Sequence, residues 1–88
     1  MISLRQYTKE RRFFVKLAQR ICAMREDHDL TQTDIAKILN TSQTVYLRYE
    51  RDERTLPTEM LYTLAQYYNV SADYLLGLID EPRKLTNR

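Results

Sequence analysis

The sequence predicts an all-α domain built from about five short helices. Apolar residues recur at helical spacing along most of the chain, and no stretch alternates apolar and polar residues over the length of a strand. Residues typical of helix starts and ends stand at short intervals between these apolar patterns. The length of 88 residues suits a single domain with a modest core.

The first helix is predicted over residues 9–27. Its apolar face repeats at helical spacing, and the residues on it are Phe13, Leu17, Ile21 and Met24. The polar run 26–29 interrupts this pattern. Residues 1–8 either fray or extend the helix toward the N-terminus.

A second, short helix is predicted to begin after Thr31. Threonine is a good N-cap, and Asp34 stands three residues later, which gives an imperfect capping box. Ile35, Ala36 and Leu39 then form one apolar face over barely two turns.

A third helix is predicted to follow after a tight turn. Asn40 tolerates the left-handed backbone that such a turn needs. Ser42 can cap the helix, which we place at residues 43–51. Its spacing turns Tyr46 and Tyr49 inward.

Two more helices complete the predicted domain. Pro57 suits the first turn of a helix over 58–68, and Asn69 ends it. The apolar face of that helix consists of Leu61, Leu64, Ala65 and Tyr68. Ser71 caps a short last helix over 72–76.

Gly77 suits the left-handed position that follows this last helix. We expect the folded domain to cover residues 17–79. A basic, helical N-terminal extension over 1–16 precedes it, and a frayed tail over 80–88 follows it.

Composition excludes several classes of function. With one glycine, the chain cannot form a glycine-rich phosphate loop. One cysteine, Cys22, and one histidine, His28, cannot supply a zinc quartet, so we expect no metal and no cofactor. A lone cysteine also suits a reducing compartment, and the expected location is the cytoplasm.

Neither a membrane protein nor an enzyme is expected. No apolar run approaches the ~20 residues needed to cross a bilayer, and no signal peptide precedes the basic N-terminus. Asp27 and Asp29 are paired acids, but no base or metal set converges with them.

The net charge of +2 is unevenly distributed. Residues 1–25 carry seven basic groups and one acidic group, whereas 26–54 carry four basic and seven acidic groups. Residues 55–82 carry four acidic groups and no basic one. The basic N-terminal region is either a solvated helix face or a surface that faces phosphate.

Residues 31–51 meet the physical requirements of a helix-turn-helix. Ala36 is small enough to let the two helices approach closely, and Asn40 supplies the turn. The outward face of the second helix must be short and polar to enter a major groove. That face consists of Gln43, Thr44 and Arg48.

Residues 20–77 resemble the five-helix DNA-binding domain of the phage-repressor and Cro-like (Xre) family. The segments that carry the resemblance are Arg20-Ile21, Met24-Arg25-Glu26, Leu30-Thr31-Gln32, Ile35-Ala36, Ser42-Gln43, Arg48-Tyr49-Glu50, Leu64-Ala65, 67–71 and 73–77. They match in spacing as well as in residue type over about two-thirds of the chain. The resemblance implies a lambda-repressor-like fold, and residues 1–16 lie outside it.

The resemblance implies base contacts from the helix over 43–51, which would be the recognition helix. Gln43 would pair with adenine through two hydrogen bonds, with Thr44 beside it at the groove. Arg48 would face guanine or a backbone phosphate. Val45 stands where a small polar residue is usual, and it would touch a thymine methyl group.

Phosphate contacts are implied around the same two helices. Gln32 opens the first helix of the pair, where its side chain and backbone N–H groups would meet a phosphate. The other expected phosphate contacts are Thr33, Ser42, Leu47 and Arg54. Leu47 either rests on the sugar-phosphate edge or contacts Leu56. Asp52 and Glu53 stand where glycine and lysine are common, and they weaken the positive charge.

Arg25 and Glu50 match a pair that forms a buried ion pair in the family and braces the recognition helix.

The seven tyrosines also allow an interpretation in which their rings stack on the bases of single strands. Helical spacing instead places Tyr46, Tyr49, Tyr68 and Tyr74 in the core and leaves Tyr62 and Tyr67 at the surface.

The resemblance implies a sequence-specific regulator of transcription that binds double-stranded DNA, most simply a repressor. One copy would read only about five base pairs, so a two-fold homodimer on half-sites ~34 Å apart is expected. Its candidate contacts are Leu75, Leu76, Leu78, Ile79, Phe13 and Phe14.

The basic, aromatic segment 1–16 motivates an alternative of another class. The chain could be an antitoxin-like or other protein-interaction module that grips a protein partner, with DNA binding secondary or absent. A membrane-surface helix around Phe13 and Phe14 is disfavoured because the apolar patch is short.

Overall fold

The computed structural model describes the backbone of residues 4–85 and the side chains of residues 16–85. It has five α-helices: α1 (Leu4–Asp27), α2 (Gln32–Ile38), α3 (Gln43–Glu50), α4 (Thr58–Tyr68) and α5 (Ala72–Leu75). Within these residues there is no strand, and the predicted all-α fold is confirmed. The bounds of α2 to α5 agree with the predicted ones to within a residue or two. The first helix begins at Leu4, five residues before its predicted start.

Side-chain caps begin the helices where the sequence predicts them. At α2 the capping box is complete: the Thr31 N–H donates to Asp34 Oδ2 (2.8 Å), and the Asp34 N–H donates to Thr31 Oγ1 (3.0 Å). The hydrogen bond from the Thr31 backbone lowers the pKa of Asp34. The hydroxyls of Ser42 and Ser71 accept from the backbone of α3 and α5 in the same way.

All five helices end in the same way, at what we call the left-handed junctions. Each junction has one residue with positive φ, and these residues are Asp29, Asn40, Asp52, Asn69 and Gly77. The next N–H then bonds a carbonyl five residues back; between α2 and α3, for example, the Thr41 N–H donates to the Ala36 carbonyl (2.9 Å). These bonds satisfy the carbonyls that a helix end would otherwise expose.

Gly77 is the one left-handed junction where the side chain of any other residue would collide with the fold. A Cβ atom there would lie 2.7 Å from Lys16 Cδ, and φ is +83°. The aliphatic part of Lys16 therefore lies directly over the end of α5.

All five helices contribute buried residues to the core. Its fully buried centre consists of Ile21, Ile35, Tyr46, Leu64 and Leu75. Ala36 is 2% exposed, which agrees with its predicted role of letting α2 and α3 approach closely. Tyr46 and Tyr49 are buried as predicted, and Tyr62 and Tyr67 are exposed as predicted.

Arg20 connects α1 to α5 and to the residues that follow α5. Its Nη1 donates to the carbonyls of Tyr74 and Ile79, and its guanidinium carbon lies 4.2 Å from the centre of the Tyr74 ring. Asp80 adds an ion pair at 3.6 Å. Tyr74 is thus partly buried under Arg20 instead of lying in the core, where the sequence places it.

The structure corrects one expected dimer contact. Leu75 is fully buried in the core, so it cannot meet a second copy of the folded domain. Leu76 and Ile79 are partly buried, and Leu78 is 64% exposed. A helix of four residues is too short for periodicity to show which leucine turns inward. The side chains of Phe13 and Phe14 lie outside the described residues.

Of the tail expected over 80–88, the structure describes residues 80–85, and residues 86–88 lie outside the described residues. The carbonyl of Arg83 accepts a hydrogen bond from the Ser71 N–H (2.6 Å). This bond ties the segment to the start of α5. Further on, Leu85 lies beside α4.

Candidate nucleic-acid interface

The exposed face of α3 carries the polar side chains that the sequence places there. Tyr46 and Tyr49 fix the inward side of α3, because both are buried. Gln43, Thr44 and Arg48 are exposed on its other side. Helix α3 therefore presents a short polar ridge, of the size that fits a major groove.

The two apolar residues expected near DNA are less accessible. Val45 and Leu47 are both partly buried, and Val45 packs against the hydrophobic core. Each therefore keeps only part of its surface available for contact with a thymine methyl or a sugar.

Arg25 and Glu50 form the ion pair that the resemblance implies. Arg25 Nε donates to Glu50 Oε2 (2.7 Å), and Nη2 donates to Oε1 (3.1 Å). The side chains are 15% and 5% exposed, so the pair is largely removed from water. A third bond runs from Arg25 Nη1 to the Leu30 carbonyl (2.8 Å). The pair joins the end of α1 to the end of α3.

The protonation states of this pair follow from its surroundings. Burial raises the pKa of Glu50, but the hydrogen bonds it receives, first among them those from Arg25, outweigh burial and leave its pKa lowered. The hydrogen bonds to Glu50 also raise the pKa of Arg25. Both groups are therefore charged at neutral pH.

A chain of side-chain amides extends from Glu50 to the surface. Gln32 Nε2 donates to Glu50 Oε1 (3.2 Å), and Gln43 Nε2 donates to Gln32 Oε1 (2.7 Å). An amide NH₂ group carries two hydrogens, so this bond leaves Gln43 one donor and its carbonyl oxygen for a base edge. The chain holds the side chain of Gln43 in one orientation on the exposed ridge.

Sequence reasoning found Gln32 and Gln43 separately and missed the bond between them. Each glutamine is the first residue of its helix, Gln32 of α2 and Gln43 of α3. That repeated position was the available signal. Whether the two glutamines touch depends on the angle between α2 and α3, which the sequence alone does not give.

The residues expected to contact phosphate differ in how accessible they are. Thr33 and Arg54 are exposed, whereas the hydroxyl of exposed Ser42 already accepts from the Val45 N–H (3.1 Å). Arg51 lies 3.9 Å from Glu53 and both side chains are exposed, as is typical of ordinary surface charges.

Two buried tyrosine hydroxyls lie behind the site. That of Tyr68 has no hydrogen-bond partner in the described part of the chain, and that of Tyr46 interacts with the carboxylate of Glu50. Burial raises the pKa of both phenols, and the charge of Glu50 adds to the rise. These rings pack inside the domain, so they are not a stacking surface for single strands.

Residues 16–85 offer neither a cluster of metal ligands nor a reactive thiol. Those residues bring together no group of three histidine, cysteine or acidic side chains that could hold a metal. Cys22 Sγ donates to Glu26 Oε1 (3.0 Å), and this bond and burial raise the thiol pKa to about 11. Across the described part of the chain, no helix is long and apolar enough to cross a bilayer.

Comparisons with known proteins give the same architecture. The structure is similar to the P22 c2 repressor in complex with a synthetic operator, with a TM-score of 0.62 and 29% sequence identity over 67% of this chain and 89% of that one. It is also similar to a transcriptional regulator from Listeria innocua, with a TM-score of 0.68 and 28% identity over 82% of this chain and 64% of the other.

Sequence relatives agree with the structural ones. The chain is 38% identical over 64 residues to the uncharacterised HTH-type transcriptional regulator YobD and 37% identical over 70 residues to the regulator ImmR, both from Bacillus subtilis. It is 33% identical over 61 residues to the antitoxin PezA of Streptococcus pneumoniae. These stretches are 73%, 80% and 69% of this chain, but 57%, 55% and 39% of the relatives.

The helix-turn-helix family (HTH_3) matches residues 23–75, which is more than half of the chain. The matched region contains α2, α3, α4 and the ion pair that joins α3 to α1. The fold and these matches confirm the expected relationship, and the chain belongs to the helix-turn-helix family of the phage-repressor and Cro-like type.

Proposed function

We propose that this chain binds double-stranded DNA at specific sequences, regulates transcription, most simply as a repressor, and docks α3 in the major groove. The observation that carries the proposal is the exposed ridge of Gln43, Thr44 and Arg48, braced by a buried ion pair and an amide chain. A side chain held in place loses little conformational freedom when it meets a base.

The relatives support this assignment. The structure of the P22 c2 repressor is a complex with a synthetic operator, and the two Bacillus relatives are described as transcriptional regulators. The shared region contains the helix pair. These relatives are longer than the stretch they share with this chain, so any further activity of theirs is not carried over.

Base readout is assigned to four residues of α3. Gln43 pairs with adenine N6 and N7, and Thr44 lies next to it at the groove. Arg48 reads guanine or a phosphate. Val45, although partly buried, contacts a thymine methyl group.

Backbone contacts position α3 over the bases. Gln32, Thr33, Ser42, Leu47 and Arg54 are assigned to phosphates and sugars. Because phosphate contacts release counterions, the affinity should fall steeply as salt rises. Asp52 and Glu53 in the loop after α3 limit that affinity.

Two copies are needed for useful specificity. One recognition helix reads about five base pairs, whereas a two-fold dimer reads two half-sites about 34 Å apart. Leu76, Leu78, Ile79, Phe13 and Phe14 remain the candidate contacts. We assign the chain no catalytic role and place it in the cytoplasm, where a lone thiol stays reduced.

The test begins with selection of bound duplexes from a random pool by the purified chain. We expect Gln43→Ala to relax base preference at one position by about 1–3 kcal/mol, because the adenine pair is lost. Gln19→Ala is the matched control, since Gln19 is an exposed glutamine on α1. If Gln43→Ala leaves both the selected sequence and its affinity unchanged, the assigned readout is wrong.

An antitoxin-like function is the second candidate. The similarity to PezA and the basic, aromatic segment 1–16 favour it. A stoichiometric protein that co-purifies with the chain, and is lost when 1–16 is deleted, would support it. Duplex binding at low salt without such a partner would contradict it.

A further inference from the structure

Hydrogen-bond donors surround the carboxylate of Glu50. Arg25 Nε donates to Oε2 (2.7 Å), and Oε1 accepts from both Arg25 Nη2 (3.1 Å) and Gln32 Nε2 (3.2 Å). The hydroxyl of Tyr46 interacts with the same carboxylate. The side chain of Glu50 is 5% exposed, so water contributes little to its hydrogen bonding. Because an ionised carboxylate accepts hydrogen bonds and cannot donate them, each of these groups has to turn a hydrogen toward Glu50.

This requirement fixes which way the side-chain amide of Gln32 points. An amide donates from its NH₂ group on one side and accepts at its oxygen on the other. The NH₂ group of Gln32 faces Glu50, so its oxygen faces the start of α3. The reversed amide would place an oxygen of Gln32 against an oxygen of Glu50 with no hydrogen between them. That arrangement is unfavourable where water cannot separate the two acceptors.

The amide of Gln32 in turn fixes the amide of Gln43. Gln32 Oε1 accepts from Gln43 Nε2 at 2.7 Å, and reversing Gln43 alone would bring two carbonyl oxygens together at this short distance. The NH₂ group of Gln43 is therefore held against Gln32. Its carbonyl oxygen is the end of the amide that stays free. Gln43 is exposed, whereas Gln32 is half-buried, so this free oxygen belongs to the surface of the ridge.

Adenine and guanine differ in the group that such an oxygen would meet. In the major groove both purines present N7 as an acceptor, but adenine adds the N6 amino donor and guanine adds the O6 acceptor. The second hydrogen of Gln43 Nε2 suits N7 of either purine. Its oxygen suits adenine N6 and repels guanine O6. A reversed Gln43 would present its NH₂ group instead, which suits guanine O6, so the choice of base depends on the direction of the amide chain.

We propose that Glu50, buried behind the ridge, determines the base preference of Gln43. Its carboxylate fixes the direction of the amide chain, and Gln32 transmits that direction, so that Gln43 reads adenine and rejects guanine. Glu50 and Gln32 are therefore positioning residues for base readout. This inference rests on the proposed function and names what sets its specificity.

A role for Glu50 limited to bracing α3 predicts a different result. If only its ion pair with Arg25 mattered, weakening the pair would lower the affinity for every DNA sequence alike. The direction of the amide chain instead changes the ratio of affinities for two bases at one position. The ratio of adenine to guanine affinity therefore separates the two roles.

Two variants of the full chain test the direction of the amide chain. Glu50→Gln replaces the carboxylate by an amide of the same size that both donates and accepts, so either direction becomes available. The double variant Glu50→Gln, Gln32→Glu moves the carboxylate one step along the amide chain, so that Gln43 again has to donate to it. A merely structural role for Glu50 predicts no such rescue.

The measurement uses duplexes with one half-site that differ only in adenine or guanine at the position that Gln43→Ala relaxes. Wild type should prefer adenine by about ten-fold or more. We expect Glu50→Gln to lower this ratio by about three-fold or more, and the double variant to restore it even where its overall affinity is lower. An unchanged ratio in folded Glu50→Gln, or a double variant that does not restore it, would overturn the inference.

Two further variants keep the test decisive. Arg25→Lys is the matched control, because it weakens the ion pair and leaves the carboxylate of Glu50 in place. Its stability should fall while its ratio stays at the wild-type value. Gln32→Met interrupts the amide chain and leaves the ion pair intact, so it replaces Glu50→Gln if that variant does not fold, and it should also lower the ratio. A lowered ratio in Arg25→Lys, or an unchanged one in Gln32→Met, would contradict the inference.

Hydrogen exchange in the free chain separates this inference from the proposed function. By NMR, one hydrogen of Gln43 Nε2 should exchange with water about three-fold more slowly than its counterpart in Gln19, an exposed glutamine on α1, and Gln32→Met should remove the difference. Equal rates in wild type would overturn the amide chain. A slow rate in a chain that binds no duplex contradicts the proposed function and leaves the direction of the amide chain intact. Specific binding with a ratio that no variant changes does the reverse.

Discussion

Arg20 and Arg25 lie five residues apart on α1, and their side chains bond to different parts of the molecule. Arg25 meets the buried carboxylate of Glu50 at the end of α3. Arg20 meets neutral carbonyls and an aromatic ring near α5, and its one acidic partner, Asp80, is 90% exposed on its side chain.

This difference in partners determines how much each contact between α1 and the rest of the molecule depends on its arginine. Removing Arg25 would leave a negative charge buried without its partner, which is strongly unfavourable. Removing Arg20 would leave two neutral carbonyls without a donor, which costs less than a buried charge without a partner, and Asp80 is already solvated. The contact that supports the exposed ridge on α3 is therefore the one that depends more on a single residue.

The largest effect is expected for Arg25→Met. The uncompensated Glu50 should reduce the free energy of unfolding by about 3–5 kcal/mol. Urea denaturation at neutral pH measures it. The double variant Arg25→Met, Glu50→Met removes both charges and should recover most of the loss. A double variant no more stable than Arg25→Met would show that charge burial is not the cause.

A smaller loss is expected for Arg20→Met, about 1–3 kcal/mol, because two charge-assisted hydrogen bonds are lost but no buried charge remains. The same urea series measures it. Half-site DNA affinity of the folded fraction should stay at the wild-type value, since α3 is not held by Arg20. A loss equal to that of Arg25→Met would contradict the comparison.

Acidification should weaken the ion pair of Arg25 and Glu50 more than the contacts of Arg20 with the carbonyls near α5. The folded-state pKa of Glu50 lies below its ordinary value, so its contribution is present above the unfolded pKa of about 4.3 and is lost as pH falls through the folded pKa. Stability measured between pH 6 and 2 should fall more in wild type than in Glu50→Gln. Parallel curves would exclude Glu50 as the titrating group.

The smallest effect is expected for Asp80→Asn. Its carboxylate is almost fully exposed and lies 3.6 Å from Arg20, so the change in unfolding free energy should be below about 0.5 kcal/mol. A loss above 1 kcal/mol would mean that the ion pair with Asp80 also contributes to the stability of the contact made by Arg20.

The sequence predicted the helix boundaries well because local chemistry decides them. Thr31, Ser42 and Ser71 cap the helices they precede, and Asn40 and Asn69 take the left-handed conformation expected of them. Each of these effects acts over four or five residues, so it can be seen without a fold. The ion pair of Arg25 and Glu50 came from family resemblance and not from spacing.

Side-chain contacts between helices were harder to predict. The bond from Gln43 to Gln32 spans 11 positions and depends on the crossing of α2 and α3. Arg20 was counted in the basic N-terminal charge and in the family resemblance, but no contact was predicted for it, because its acceptors are backbone carbonyls 54 and 59 positions away. Leu75 was assigned outward because a four-residue helix has no measurable period. The roles of the ridge residues toward DNA remain predictions.

The left-handed junctions have a consequence for how fast the chain reaches this fold. Each is closed by hydrogen bonds that span five residues or fewer, so its loop costs little entropy to form. At four of them aspartate or asparagine occupies the position, and these residues restrict the unfolded backbone more than glycine does. Helix ends can thus form before distant residues meet, and we expect refolding on the microsecond-to-millisecond scale typical of local topologies.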